Sequence, residues 1–152
     1  MTLSNGSGQT ANGSNGSLHI EEWPLLTPDH KLSDREAHDA IEALQSIIQF
    51  KTVSATGPTT GEYTKCAEWL VGKLESIGCL DKIHFLEESP ANCPVVIARW
   101  KGTAEEELPV ILLNSHYDVV PADPLSWTVP PFEGLIKDGK IYGRGAQDMK
   151  CV

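Results

Sequence analysis

Basic side chains are scarce in this chain: 12 Lys and Arg stand against 21 Asp and Glu, a formal net charge of −9. A surface of that sign repels a phosphate backbone, so no nucleic-acid partner is expected. Long apolar runs are lacking as well. None approaches the roughly 18 to 20 residues that a membrane-crossing helix requires, and the N-terminus lacks the basic-then-apolar layout of a secretory signal. These absences predict a soluble, cytoplasmic protein that engages no membrane. The four cysteines, Cys66, Cys79, Cys93 and Cys151, include no Cys-x-x-Cys pair. Neither a structural zinc knot nor a redox dithiol is therefore expected, and reduced, packed thiols are.

What remains is enough for one domain: 152 residues, 40% of them hydrophobic. From Met1 through the Asn-Gly-Ser repeats to Ser17 almost nothing is available to bury against the entropy of ordering. Residues 1–32 are expected to form a disordered or irregular tail, with Trp23 and Leu25 as its few anchors, and residues 33–152 to fold. The acidic run Glu105–Glu107 reads as a solvated turn.

Ser33-Asp34-Arg35-Glu36 has the capping-box spacing, which predicts a helix start. Ala37, Ala40, Ile41, Leu44, Ile47 and Ile48 then recur on one helical face, and the helix should end near Phe50. A second helix is predicted from about Thr60 to Ile77, burying Tyr63, Cys66, Ala67, Leu70, Leu74 and Ile77, with Gly78 as its cap. Ile83–Glu87, Val95–Trp100 and Val110–Asn114 are short β-branched runs that predict strands. Val110 to Leu113 is apolar without alternation, as in a central strand covered on both faces. Asp138-Gly139 between two short runs predicts a hairpin.

Chemistry concentrates in two places. His116 and Asp118 stand two apart just beyond the predicted central strand, where ligand sites of open α/β sheets lie. An imidazole can ligate zinc through one nitrogen while a carboxylate holds the other. Taken alone, His-x-Asp is a weak signal, and a loop histidine hydrogen-bonded for structural reasons is the better reading of His116. His19, His30, His38 and His84 have no partner spacing and read as surface or satisfied residues. In the second place, Gly143 and Gly145 let the chain turn sharply and bring Asp148 inward. Such a carboxylate can bridge two zinc ions about 3.5 to 4 Å apart, or merely cap a helix.

Taken together, Ile111-Leu-Leu-Asn-Ser-His-Tyr-Asp-Val-Val-Pro121, Trp127 with Pro130-Pro131-Phe132, and Gly143-Arg-Gly-Ala-Gln-Asp-Met-Lys-Cys-Val152 resemble a family of zinc metallopeptidases and deacylases. That family contains aminoacylase, acetylornithine deacetylase, succinyl-diaminopimelate desuccinylase and bacterial carboxypeptidase. The resemblance covers about residues 40–152, and Gly145-Ala-Gln-Asp-Met-Lys-Cys151 is most similar to the aminoacylase branch. It implies an α/β fold, the N-terminal part of a mixed-sheet zinc-peptidase catalytic domain with helices packed on the sheet. It further implies that His116 ligates one zinc, Asp148 bridges two zinc ions, and Asp118 orients the His116 ring in catalysis. Arg144 and Gln147 carry no implied role.

The implied reaction is zinc-dependent hydrolysis of N-acyl-L-amino acids to a carboxylate and a free L-amino acid. Dipeptidase, carboxypeptidase or acetylornithine deacetylase activity is the alternative within the family. Members also use a later Glu-Glu pair, whose first glutamate is the general base, one more acidic ligand and a distant histidine. Glu21-Glu22, Glu87-Glu88 and Glu105–Glu107 all precede His116, the wrong order for that role. The resemblance thus implies an N-terminal fragment, inactive by itself, that acts on a small-molecule substrate in a full-length, homodimeric form. A non-catalytic fragment that binds full-length subunits is the reading from a different class.

Overall fold

The computed structural model describes residues 31–103 and 108–152, and Ser33–Val152 forms one unit. The expectations for the tail up to residue 30, including His19 and His30, and for Glu105–Glu107 lie outside the described residues. Helix α1 spans Asp34–Gln49 with Ser33 as its N-cap. The box is reciprocal: the Ser33 N–H donates to Glu36 Oε2 at 2.8 Å, and the Glu36 N–H donates to Ser33 Oγ at 3.3 Å. Each bond satisfies a backbone donor that the first helical turn leaves unpaired. Phe50 turns extended and stops the helix. Of the predicted apolar face, Ile47 and Ile48 are buried while Ile41 is 39% exposed, so only the last turn reaches the core.

A four-residue helix, α2 (Gly57–Thr60), precedes the longer helix α3 (Glu62–Ile77). The second helix therefore starts two residues later than predicted, because Gly61 sits at φ 76° between the two. Gly78 closes α3 at φ 75°, as its position predicts. Tyr63, Cys66 and Ala67 are buried at the start of α3, whereas Ile77 at its end is 59% exposed.

Strands β1 (Lys82–Phe85) and β2 (Val96–Arg99) pair antiparallel, with Ile83 opposite Ala98, and α3 packs against both. Strands β3 (Leu135–Lys137) and β4 (Lys140–Tyr142) form the predicted hairpin. Asp138 at φ 51° and Gly139 at φ 71° supply the two left-handed residues that such a tight turn needs. The chain is α/β, with helices beside small antiparallel sheets. No described helix is long and apolar enough to cross a membrane.

One expectation is corrected. Val110–Asn114 forms no strand, and Val110, Ile111, Leu112 and Leu113 are 93%, 85%, 85% and 89% exposed. A central strand exists only when neighbouring backbones pair with it and other elements cover its faces. Among the described residues neither is supplied. Pairing begins a few residues later, where Val119 bridges Val53 in parallel.

All four cysteines are free, and Cys79 and Cys151 are exposed rather than packed. Cys66 is fully buried, which pushes its thiol from an ordinary 9.0 up to about 11, opposed by the nearby Lys150 charge. The unfolded chain therefore loses this proton first. Stability from this group is intact below pH 9 and falls as pH rises to 11, by about 2–3 kcal/mol. Tyr63 and Tyr117, raised by burial, act in the same direction at higher pH, and Lys150, lowered by burial, acts against it. Urea denaturation of Cys66→Ala across that interval should show a shallower decline than the parent chain; parallel declines would contradict the assignment.

Candidate metal centre

Extended backbone sends successive side chains to opposite sides, so residues 116–119 divide into two pairs. Tyr117 and Val119 face inward and anchor the segment. Val119 is 3% exposed; its N–H donates to the Thr52 carbonyl at 2.8 Å, and the Ser54 N–H donates to its own carbonyl at 2.8 Å. The buried Thr52 hydroxyl donates to the Tyr117 carbonyl at 2.6 Å. The Tyr117 hydroxyl donates to the Pro94 carbonyl at 2.5 Å, and its ring meets Tyr63 edge-on with centroids 5.5 Å apart. Burial pushes the Tyr117 phenol above its ordinary range, which keeps it protonated as a donor.

His116 and Asp118 form the outer pair, each about half exposed. His116 Nδ1 lies 3.1 Å from Asp118 Oδ1 and 3.2 Å from the Asp118 carbonyl oxygen. The other ring nitrogen, Nε2, lies 3.4 Å from Asp148 Oδ1. Three residues separated by up to 32 positions thus meet around one imidazole.

Asp148 arrives there on the turn that follows β4, and two glycines shape that turn for different reasons. A Cβ on Gly143 would stand 2.5 Å from Ile48 Cγ2, so this residue is needed for close approach. Gly145 has φ +89°, and a Cβ there would stand 2.7 Å from Val119 Cγ1. Residues 144–151 are turn. Lys150, only 6% exposed, donates from Nζ to the Ile47 carbonyl at 2.9 Å and the Phe50 carbonyl at 2.8 Å. Asp148 itself keeps an 88% exposed side chain.

The remaining motif residues lie beside this turn. Arg144 holds its guanidinium 5.1 Å above the Trp127 ring, and its backbone N–H donates to the Pro131 carbonyl at 2.6 Å. Its Nε is buried with no hydrogen-bond partner among the described residues. Trp127, Pro131, Phe132 and Glu133 line, with Lys51, an open cavity of about 580 Å³. Gln147 is exposed.

The charges around His116 set what the site can accept. A neutral imidazole has one N–H, and with Nδ1–H facing the two acceptors of Asp118, the Nε2 lone pair faces a carboxylate oxygen. Two acceptors facing each other are unfavourable unless a cation or proton stands between them. Donors on one tetrahedral zinc, at bond lengths of about 2.0–2.1 Å, lie roughly 3.3 Å apart. The observed 3.4 Å matches one edge of such a shell. His116 and Asp148 fit zinc as a pair, with Asp118 behind the ring. Among the described residues no group of three or more His, Cys, Asp or Glu side chains gathers to hold a metal ion.

Sequence reasoning singled out His116, Asp118 and Asp148, which the structure brings together, and passed over Thr52 and Lys150, which hold their segments in place. A lysine ordinarily reads as solvated. The one available signal was its place inside the Gln147–Cys151 motif.

The peptidase family M20/M25/M40 matches residues 112–152, the segment that carries all three site residues. Aminoacylase-1 of Sus scrofa is 58% identical over 116 residues, covering 76% of this chain and 26% of that protein. Aminoacylase-1 of Dictyostelium discoideum is 38% identical over 98 residues, covering 64% and 23%. Cysteinylglycine-S-conjugate dipeptidase of Corynebacterium striatum is 42% identical over 89 residues, covering 58% and 18%. The chain spans about a quarter of the length of the aminoacylase relatives it matches. By the matched motif and these relatives, the chain is similar over residues 112–152 to the peptidase family M20/M25/M40.

Proposed function

We propose that His116 and Asp148 are zinc donors, that Asp118 orients the His116 ring, and that the protein carrying them hydrolyses N-acyl-L-amino acids. The observation that carries this reading is the 3.4 Å approach of His116 Nε2 to Asp148 Oδ1, with Nδ1 held 3.1 Å from Asp118. Zinc, when bound, supplies Lewis acidity toward water and an amide carbonyl. Asp118 fixes the tautomer, so that Nε2 offers its lone pair outward. The Asp148 carboxylate has a second oxygen free to reach a further ion. Catalytic zinc sites normally use three protein ligands, so the remaining donors and the general base belong to residues outside those described. The aminoacylase relatives favour an acyl amino acid as substrate. The dipeptidase relative favours a second reading, a dipeptide.

Equilibrium dialysis of this chain against zinc tests the site. His116→Ala and Asp148→Ala should each weaken binding by at least about tenfold, while Asp118→Asn should weaken it by a smaller factor. Zinc binding indifferent to His116→Ala would remove the proposal. Hydrolysis of N-acetyl-L-methionine by this chain with zinc added should be negligible, and turnover lost on chelation would refute the placement of the missing donors. The two substrate readings separate when a chain of the relatives' full length, carrying these residues, is assayed against both compounds.

A further inference from the structure

Neither zinc donor is fixed by its own neighbours alone. The His116 segment is registered to residues 52–54 through three bonds: Thr52 Oγ1 to the Tyr117 carbonyl, Val119 N–H to the Thr52 carbonyl, and Ser54 N–H to the Val119 carbonyl. Residues 52–54 leave directly from the end of α1. The Asp148 turn has a separate tether to that same end. Lys150, two residues beyond Asp148, buries its ammonium there and donates to the carbonyls of Ile47 and Phe50.

Those carbonyls belong to the last turn of α1, where intrahelical partners run out and the helix dipole is negative. The last turn of α1 carries no basic residue of its own, so the cation comes from about 100 positions away. Removing the ammonium leaves the Ile47 carbonyl without its charged donor, while Phe50 keeps the Thr52 N–H at 2.9 Å, and it frees the segment that the charge held.

We propose that Lys150 is a positioning residue for the metal centre: by locking the Asp148 turn to the end of α1 that also registers the His116 segment, it sets the spacing between the two donors. The two arms converge on one anchor, residues 47–54, so the distance from Nε2 to Oδ1 is the closing edge of a loop of contacts. Gly143 against Ile48 packs the Asp148 turn on that anchor, and Gly145 against Val119 packs it on the His116 segment. The packing gives proximity, and Lys150 gives the register. The placement stands on geometry alone, and its use in metal binding rests on the zinc reading above.

The test follows the spacing directly, without metal, in the full chain by NMR. A nuclear Overhauser contact between the His116 ring protons and the Asp148 Hβ protons is expected in the parent chain. It should disappear in Lys150→Met and return in Lys150→Arg, whose guanidinium can donate to both carbonyls, although the helical circular dichroism of all three is the same. Zinc affinity should fall about tenfold in Lys150→Met and recover in Lys150→Arg. A contact that survives in folded Lys150→Met overturns the proposal. So does its loss in both variants alike, which would mark bulk packing rather than register. If Lys150→Met does not fold, Thr52→Val removes one of the three bonds of the other arm at the same anchor and should weaken the contact, and an undiminished contact there is equally fatal. A parent chain that shows the contact and binds no zinc refutes the metal reading and leaves the positioning intact.

Discussion

Alanine at Gly143 is expected to destabilise the chain by about 1–3 kcal/mol and alanine at Ile48 by about 2–5 kcal/mol, yet the double variant should cost clearly less than the sum. Ile48 is fully buried in the last turn of α1, and its Cγ2 stands 2.5 Å from the point where a Gly143 Cβ would lie. Truncating Ile48 alone removes dispersion contacts and opens a void. Adding a methyl at Gly143 alone forces that packed pair apart. Together, the added methyl occupies part of the void. Urea denaturation of the four proteins measures the coupling, and strictly additive losses would show that the two positions do not touch.

Gly145→Ala should cost about 2–5 kcal/mol, the sum of two separate effects. A residue with a Cβ held in the left-handed region loses roughly 1–2 kcal/mol, and overpacking adds about 1–3 kcal/mol. Here φ is +89°, and the new methyl would lie 2.7 Å from Val119 Cγ1 and 3.2 Å from Lys150 Cδ. Gly139 provides the internal comparison, with φ +71° and nothing within 4 Å. Gly139→Ala should show the backbone penalty alone. Equal losses at the two positions, by the same denaturation measurement, would argue that the Asp148 turn is not pressed against the 116–119 segment. Because Val119 lies three residues from His116 in the segment that carries it, Gly145→Ala should also weaken zinc binding, whereas Gly139→Ala, out in the β3–β4 hairpin, should not.

The legible parts of this fold are those that a few adjacent residues decide. The Ser33/Glu36 box, the Gly78 cap and the Asp138-Gly139 turn each satisfy or bend backbone within four positions, and each lies where its spacing predicts. His116 and Asp148 were legible for another reason. Their motifs are chemically distinctive, and the contact between them is seen only once the chain folds. Val110–Leu113 shows the opposite case. Its composition states a preference for burial, but pairing and cover must come from elsewhere in space, and no neighbouring residue encodes that. Lys150 was illegible because a buried ammonium is stable only where carbonyl acceptors wait for it, and those sit at the far end of α1.

The pleat at residues 116–119 has one more consequence. With Tyr117 and Val119 fastened to Pro94 and Thr52, a single residue inserted between 117 and 119 would turn the strip over beyond that point. Asp118 would then leave the imidazole, or Val119 would leave the core. The two-position step from histidine to aspartate is thus a mechanical constraint, and length variation in this part of the chain is tolerable only outside it.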